Sequence, residues 1–327
     1  MGMQPRRRRV PKWLVLVLLG ALGCCVALLL TLMYFLYWMT APVPLPPSER
    51  ARLPQADFSV TVRPDLRHEA TRRWVRGCLA RGLREAPRVA RRAAEYALRP
   101  ERAALCPMAF VMSGRCKDGA IDAWVCALSL GRYRGAFWLA DRELHKLARQ
   151  GRIPYGLHRH GRTWFYEQTR SGRGGPPVLG LWRATALAGS HVAVVARVYD
   201  QLASAATPSR PGSSAGQGEF GTVVVARPQE VLPAVLAGDL PAADAQALGA
   251  AVAPFRAELA IDDRGVLHVV IEGACKDPAM NKPLADEARR RLQRRKEAGR
   301  IEAFEVRALE RTVRLTWQWR APWAAAP

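Results

Sequence analysis

The sequence predicts an α+β protein: one N-terminal transmembrane helix followed by two similar α+β lobes. Three observations predict it. An uncharged run of 27 residues, Trp13 to Met39, lies near the start. Beyond it, short stretches of alternating apolar residues are interleaved with segments of helical period. Several of these segments recur in the same order, at offsets of 145 to 162 residues.

The uncharged run comes first. At ~1.5 Å per residue it spans about 40 Å, more than a ~30 Å hydrocarbon core requires. Trp13 stands at one end and Tyr34, Phe35, Tyr37 and Trp38 at the other, as interfacial aromatic belts do. A cleaved signal peptide has a shorter apolar region and a small-residue cleavage site, and no such site follows at Pro42. A lipid-modified Cys24 is disfavoured because Ala21, not Leu, lies three residues before it. A soluble helix with no polar face would need burial on every side. An uncleaved signal anchor is therefore expected at residues 13–39. Arg6 to Arg9 and Lys12 place five cations in the tail, residues 1–12, whereas Arg50 and Arg52 are the nearest cations after the run. The positive-inside rule puts that tail in the cytoplasm and the bulk of the chain across the membrane. The short tail and single anchor look bacterial, so the expected location is the inner membrane with a periplasmic body.

Two breaks organise the remainder. Residues 40–55 hold four prolines between Ala41 and Pro47, which predicts a semi-rigid spacer lifting the body from the bilayer. Residues 206–218, "ATPSRPGSSAGQG", read as a flexible linker. The lobes are then 56–205 and 219–320. With 49% hydrophobic and 24% charged residues the chain has the composition of a folded protein, not a disordered one. The net charge of +22 is uneven. Residues 41–205 carry 28 Lys and Arg against 13 Asp and Glu; residues 219–327 carry 16 against 15. A bias of base composition explains Arg over Lys but not this asymmetry.

The internal similarity runs through both lobes. "DFSVTVRP" from Asp57 matches "EFGTVVVARP" from Glu219, and "FVMSGRCKD" around Cys116 matches "VVIEGACKD" around Cys275. "LADRELHKLARQGRI" from Leu139 matches "LADEARRRLQRRKEAGRI" from Leu284. Arg162-Thr163 and Arg311-Thr312 then open alternating aromatic strands. In the second lobe Thr222–Ala226 predicts a strand, and helical sequence runs from Pro228 towards Val252. Phe255–Ile261 and Val266–Glu272 predict a hairpin around Asp262-Asp263-Arg264-Gly265. A helix follows from Pro283 to Ala298, closed by Gly299, and then strands at Glu302–Ala308 and Thr312–Trp319. The β-α-β-β-α-β order resembles a ferredoxin-like arrangement. The first lobe fits with a longer helical region, Leu66–Leu98, and with residues 178–205 as either a hairpin or a helix.

Candidate chemistry is sparse. Cys78, Cys106, Cys116, Cys126 and Cys275 lie outside the apolar run, and in an oxidising compartment pairing among the first four is expected. The repeated Cys116-Lys117-Asp118 and Cys275-Lys276-Asp277 are expected to do the same local structural job. A nucleophilic role would need a His partner and a depressed pKa. His158 and His160, two apart on a strand, share a face but lack further ligands for zinc; no metal and no cofactor is expected. Asp141 and Asp286 are expected in the first turns of their helices, where a carboxylate favours the dipole. No phosphate-binding glycine loop and no serine-nucleophile motif is present. Arg72, Arg73, Arg76, Arg84, Arg88, Arg91 and Arg92 crowd one helical stretch. They predict a basic face for an acidic protein partner or anionic lipid, against the plain alternative of a solvated polar face.

"LADRELHKLARQGRIPYGLHRHGRTWFYE" resembles the helix-and-wing end of excisionase-type winged helices, over about thirty residues. The resemblance implies DNA binding, which conflicts with the expected orientation. The reading that results is a non-enzymatic adaptor, assembly component or immunity-type inhibitor bound to another envelope or secreted protein. A cytoplasm-facing nucleic-acid binder and a cysteine-dependent envelope hydrolase or redox enzyme are the alternatives.

Overall fold

The computed structural model describes residues 27–82, 99, 107–169, 176–204, 219–236, 241–299 and 301–320. Within them the chain is α+β and is built on one antiparallel sheet of 12 strands. The strands are β1 (Phe58–Val62), β2 (Met108–Lys117), β3 (Ala120–Leu130), β4 (Tyr155–His160), β5 (Thr163–Gln168) and β6 (Val178–Trp182). They continue as β7 (Thr185–Gly189), β8 (Glu219–Val225), β9 (Phe255–Ile261), β10 (Val266–Gly273), β11 (Ala303–Ala308) and β12 (Val313–Arg320). The helices between them are α1 (Glu69–Gly82), α2 (Arg134–Arg149), α3 (Val192–Ala203), α4 (Pro228–Leu236), α5 (Ala242–Ala251) and α6 (Asn281–Glu297).

Across the sheet the order is β11-β12-β10-β9-β8-β1-β2-β3-β7-β6-β5-β4. The two predicted lobes are therefore joined edge to edge, through β1 and β8. Val60 faces Val223 at the centre of that antiparallel pair. Beyond each strand the chain turns at an Arg-Pro, and the two arginines bond reciprocally. Arg63 N–H donates to the Phe220 carbonyl at 2.9 Å, and Arg227 N–H to the Asp57 carbonyl at 3.3 Å. The hairpins following α2 and α6 end the sheet on opposite sides, with β4 and β11 outermost. The first half holds additional elements, β6, β7 and α3; residues 178–205 thus contain both a hairpin and a helix.

The ferredoxin-like expectation is corrected. That arrangement sets its first strand beside the third and keeps the second, parallel to the first, at the far side of the third; here β8 instead pairs directly with β9, β9 with β10 and β10 with β12, all antiparallel. The cause is local. The stretch predicted as one helical segment is divided into α4 and α5, with Ala237-Gly238-Asp239-Leu240-Pro241 between them. One crossover helix returns the chain parallel to the strand it left; two helices packed on each other reverse it once more, so β9 runs antiparallel to β8 and pairs with it. Gly249 permits their contact, since a Cβ there would lie 2.8 Å from the Pro228 carbonyl oxygen.

The sheet has unlike faces. On one, α1 buries Trp74 and Val75 against Met108, Leu128 and Leu130. There α4 sets Val231 and Ala234 on Phe58, Val223, Val225 and Phe255, and α6 sets Ala285 and Leu292 on Val306, Val313 and Leu315. On the other face, α3 and residues 51–56 cover Val111, Val125, Ala127, Phe165 and Leu187. Val125, Phe165, Leu187, Val195 and Val198 are fully buried. Each such side chain contributes about 1.5–3 kcal/mol relative to exposure, so this layer dominates the core of the first half.

The segment expected as a semi-rigid spacer lies packed on the body. Ala51 and Leu53 are buried in the core, and Leu53 N–H donates to Ser113 Oγ at 2.8 Å. Val43 N–H donates to the Gly131 carbonyl at 2.8 Å. Prolines lack an N–H, so a Pro-rich segment can lie on a sheet face without orphaning donors, while its apolar residues gain burial. Residues 27–40 are helical. The rest of the predicted span, residues 13–26, lies outside the described residues, as do the tail 1–12 and the linker 206–218. Among the described residues no helix is long and apolar enough to cross a membrane.

Candidate functional site

The cysteines hold strand ends. Cys116 lies at the end of β2, and its N–H donates to Oδ2 of the buried Asp57 at 2.8 Å. Cys275 follows β10, and its N–H donates to Oδ1 of the buried Asn281 at 3.0 Å. The two repeated segments thus occupy different places in the strand succession, the second strand of one half and the third of the other. What they share is chemical: a buried side-chain oxygen receives the cysteine N–H. Lys117 and Lys276 are exposed. Asp118 sits in the β2–β3 turn at φ 52°, and Asp277 caps a short 3-10 turn by accepting Ala279 N–H at 3.0 Å.

Thiol chemistry is disfavoured by the surroundings. Burial, then Asp57 and Glu230, push the Cys116 thiol up to about 11. Burial alone pushes Cys126 up to about 11. Burial and then Asp277 raise Cys275; burial raises Cys78 against the opposing charge of Arg81. All four are unbonded. Of the pairing expected among Cys78, Cys106, Cys116 and Cys126, the three described cysteines are unbonded: Cys116 faces Ile121 and Cys126 faces Met112, so the neighbouring strands do not bring those two opposite each other. Cys106 lies outside the described residues.

The remaining candidates are placed as follows. His160 bonds Asp200 at 2.9 Å and stacks on Phe165 at 5.5 Å, while His158 is exposed. Among the described residues no three His, Cys, Asp or Glu converge as a metal site. Asp141 and Asp286 are not first-turn residues, because α2 and α6 begin earlier, at Arg134 and Asn281. Instead Asp141 accepts the Tyr166 hydroxyl at 2.7 Å, and Asp286 pairs with Arg289. Of the predicted basic face, Arg72 Nη1 donates to the Leu66 and Arg67 carbonyls, at 2.9 and 2.6 Å. Arg73 pairs with Glu69 at 2.9 Å, and Arg76 is exposed on the same helix. Arg84, Arg88, Arg91 and Arg92 lie outside the described residues. The winged-helix resemblance covers α2, β4 and β5, but β3 directly precedes α2 where that fold needs a helix, and β5 pairs onward with β6.

Two surfaces were not foreseen. The first is the face of β8–β12 opposite α4 and α6. Register places Arg256, Glu272, Arg314 and Arg307 in one row across β9, β10, β12 and β11. The adjacent row is Glu258, Val270, Thr316 and Glu305. Six of these eight side chains are charged and exposed. Within this face Arg307 Nε donates to Glu305 Oε1 at 2.6 Å. The strand alternation of Glu258, Arg314 and Arg307 was the available signal.

The second surrounds the start of α2. Met39, at the end of helix 27–40, packs where a side chain on Gly135 would collide with it. Trp38 meets Trp138 edge to face at 6.3 Å. The Arg134 guanidinium lies 4.4 Å from the Trp38 ring centre, and that of Arg183 lies 4.8 Å from the Trp182 ring. An open cleft of about 520 Å³ lies among these groups.

No protein-family model, curated protein or solved structure matches the chain.

Proposed function

We propose that this is a single-pass, membrane-anchored bacterial envelope protein whose periplasmic body binds another macromolecule without carrying out chemistry on it. The observation that carries the binding reading is the exposed charged face of β8–β12. Antiparallel sheets commonly leave one face to solvent, and there isolated surface ion pairs contribute only about 0–1 kcal/mol. A regular lattice of Arg and Glu over four strands therefore has little value for stability. It suits a partner of complementary charge, where such groups set orientation and association rate.

Membrane anchoring is supported by the uncharged run from Trp13 to Met39 and by the described part of its helix, whose Leu28, Met33, Tyr34 and Tyr37 are more than 60% exposed. An apolar helix exposed on all sides belongs in lipid. The five cations before the run support an N-terminus in the cytoplasm. A duplicated origin for the two halves is supported by their shared element order, the central β1–β8 pair and the reciprocal Arg63 and Arg227 bonds.

A photo-crosslinking residue at Thr316, in the full chain in its native envelope, tests the binding reading. The expected result is one discrete adduct that Arg314→Glu abolishes and a charge-neutral Arg314→Gln weakens. Absence of any adduct, or one indifferent to both substitutions, would overturn it.

A further inference from the structure

We propose that the first turns of α2 and the β6–β7 turn form a docking surface for the bilayer itself, with Arg134 and Arg183 holding the phosphate of a phospholipid. This rests on the membrane-anchor reading. The starting point is the missing stalk. Because residues 41–57 are built into the body, helix 27–40 ends directly on α2, fixed by Met39 against Gly135 and by the Val43–Gly131 bond. The body therefore lies where the apolar helix emerges from the hydrocarbon, not beyond a spacer.

What the body presents there has interfacial chemistry. Trp138 is 44% and Leu139 42% exposed. Trp38 links Trp138 to the exposed aromatics of helix 27–40, stacking with Phe35 at 6.2 Å and meeting Trp138 edge to face. Tryptophan, apolar over its body and polar at one N–H, concentrates at headgroup depth. Beside it stand the cations. Arg134 lies over Trp38, Arg142 has its guanidinium 5.7 Å from the Trp138 ring, and Arg183 lies over Trp182 at the tip of its hairpin. A guanidinium stacked on an aromatic ring keeps its N–H edges for bidentate contact with phosphate oxygens.

Arg134 and Arg183 line the same cleft, together with Trp38, Phe137 and Trp138. The cleft also holds Asp141, whose Oδ1 already accepts the Tyr166 hydroxyl at 2.7 Å. One of its carboxylate oxygens is thus engaged, and Arg134 and Arg183, two cations against this one anion, are the phosphate-seeking groups. A soluble partner would have to share this surface with the apolar helix beside it; a lipid has a headgroup for the arginines and acyl chains for the helix.

The test places a photo-crosslinking residue, one position at a time, in the full chain expressed in cells labelled with radioactive phosphate. Leu32 reports the anchor, Leu139 the proposed surface, and Leu309, exposed in the β11–β12 turn, a site on the far half of the sheet. Labelled phospholipid is expected on Leu32 and Leu139 and not on Leu309. Arg134→Gln with Arg183→Gln is expected to lower the Leu139 adduct several-fold and leave Leu32 unchanged. Label at Leu32 without label at Leu139 would overturn the docking surface while keeping the anchor. Label at neither would overturn the anchor, and this proposal with it. An undiminished Leu139 adduct in the double variant would overturn the phosphate-holding role of the arginines.

Discussion

Asp57 Oδ1 lies 3.4 Å from Nη1 of Arg227, across the junction of the two halves of the sheet. The carboxylate is buried and its other oxygen accepts the Cys116 N–H, while its own carbonyl accepts the Ala226 and Arg227 N–H groups. One residue thus ties β1 to β2 and to the strand exit that starts α4. Asp57→Ala leaves the Cys116 N–H buried without a partner and is expected to cost about 1–3 kcal/mol. Asp57→Asn keeps an acceptor and is expected to cost less. The Arg227 side chain is half exposed and screened by solvent, so Arg227→Gln is expected to cost about 1 kcal/mol or less. Urea unfolding of the three variants checks the order.

The buried thiols give a pH dependence. An ordinary thiol value is 9.0, and Cys116 and Cys126 in the folded protein stand at about 11. Between these values the unfolded chain has released the protons that the folded chain still holds. Stability is therefore expected to be intact below pH 9.0 and to fall as pH rises toward about 11. Cys116→Ala with Cys126→Ala should flatten that decline. Unfolding midpoints measured across the alkaline range decide it, and an equal decline in the double variant would remove the thiols as its cause.

The α4–α5 contact predicts a steric effect. At Gly249 a Cβ would lie 2.8 Å from the Pro228 carbonyl oxygen and 2.9 Å from the Gln229 Cα, both backbone atoms with little freedom to move. Gly249→Ala is expected to destabilise by about 1–3 kcal/mol, despite the better helix propensity of alanine. Gly151→Ala meets no atoms but stands at φ +64°, so its smaller cost would come from backbone strain alone. Thermal midpoints of the pair separate the two mechanisms.

How far local sequence reaches is clearest in the second half. The expected strand Phe255–Ile261 is observed with the same bounds, β10 extends one residue past Glu272, and Gly299 closes the final helix in the left-handed region. Those elements follow from alternation, a turn signature and a capping glycine, all local. Strand order does not. Whether β8 pairs antiparallel with β9 depends on the division of one helical stretch into α4 and α5, and the pairing of β1 with β8 joins residues more than 150 apart. The match of Cys116 with Cys275 misled for the same reason: similar local words serve two different strand ends. Asp57 and Asn281 have no signature in the sequence, because a single buried acceptor leaves no periodic trace. The start of α2 is readable only in part, since "AFWLADR" shows its aromatics but not that Trp38 meets Trp138 or that Arg183 lines the same cleft.

The central claim is the placement of this body across the membrane from its basic tail, and topology reporters fused at Pro327 test it most directly. Phosphatase activity without fluorescence in a bacterial host is the expected result, and places the β8–β12 face and the α2 surface on the periplasmic side. Fluorescence without phosphatase activity would contradict the account and return the Arg-rich first half to nucleic-acid binding in the cytoplasm.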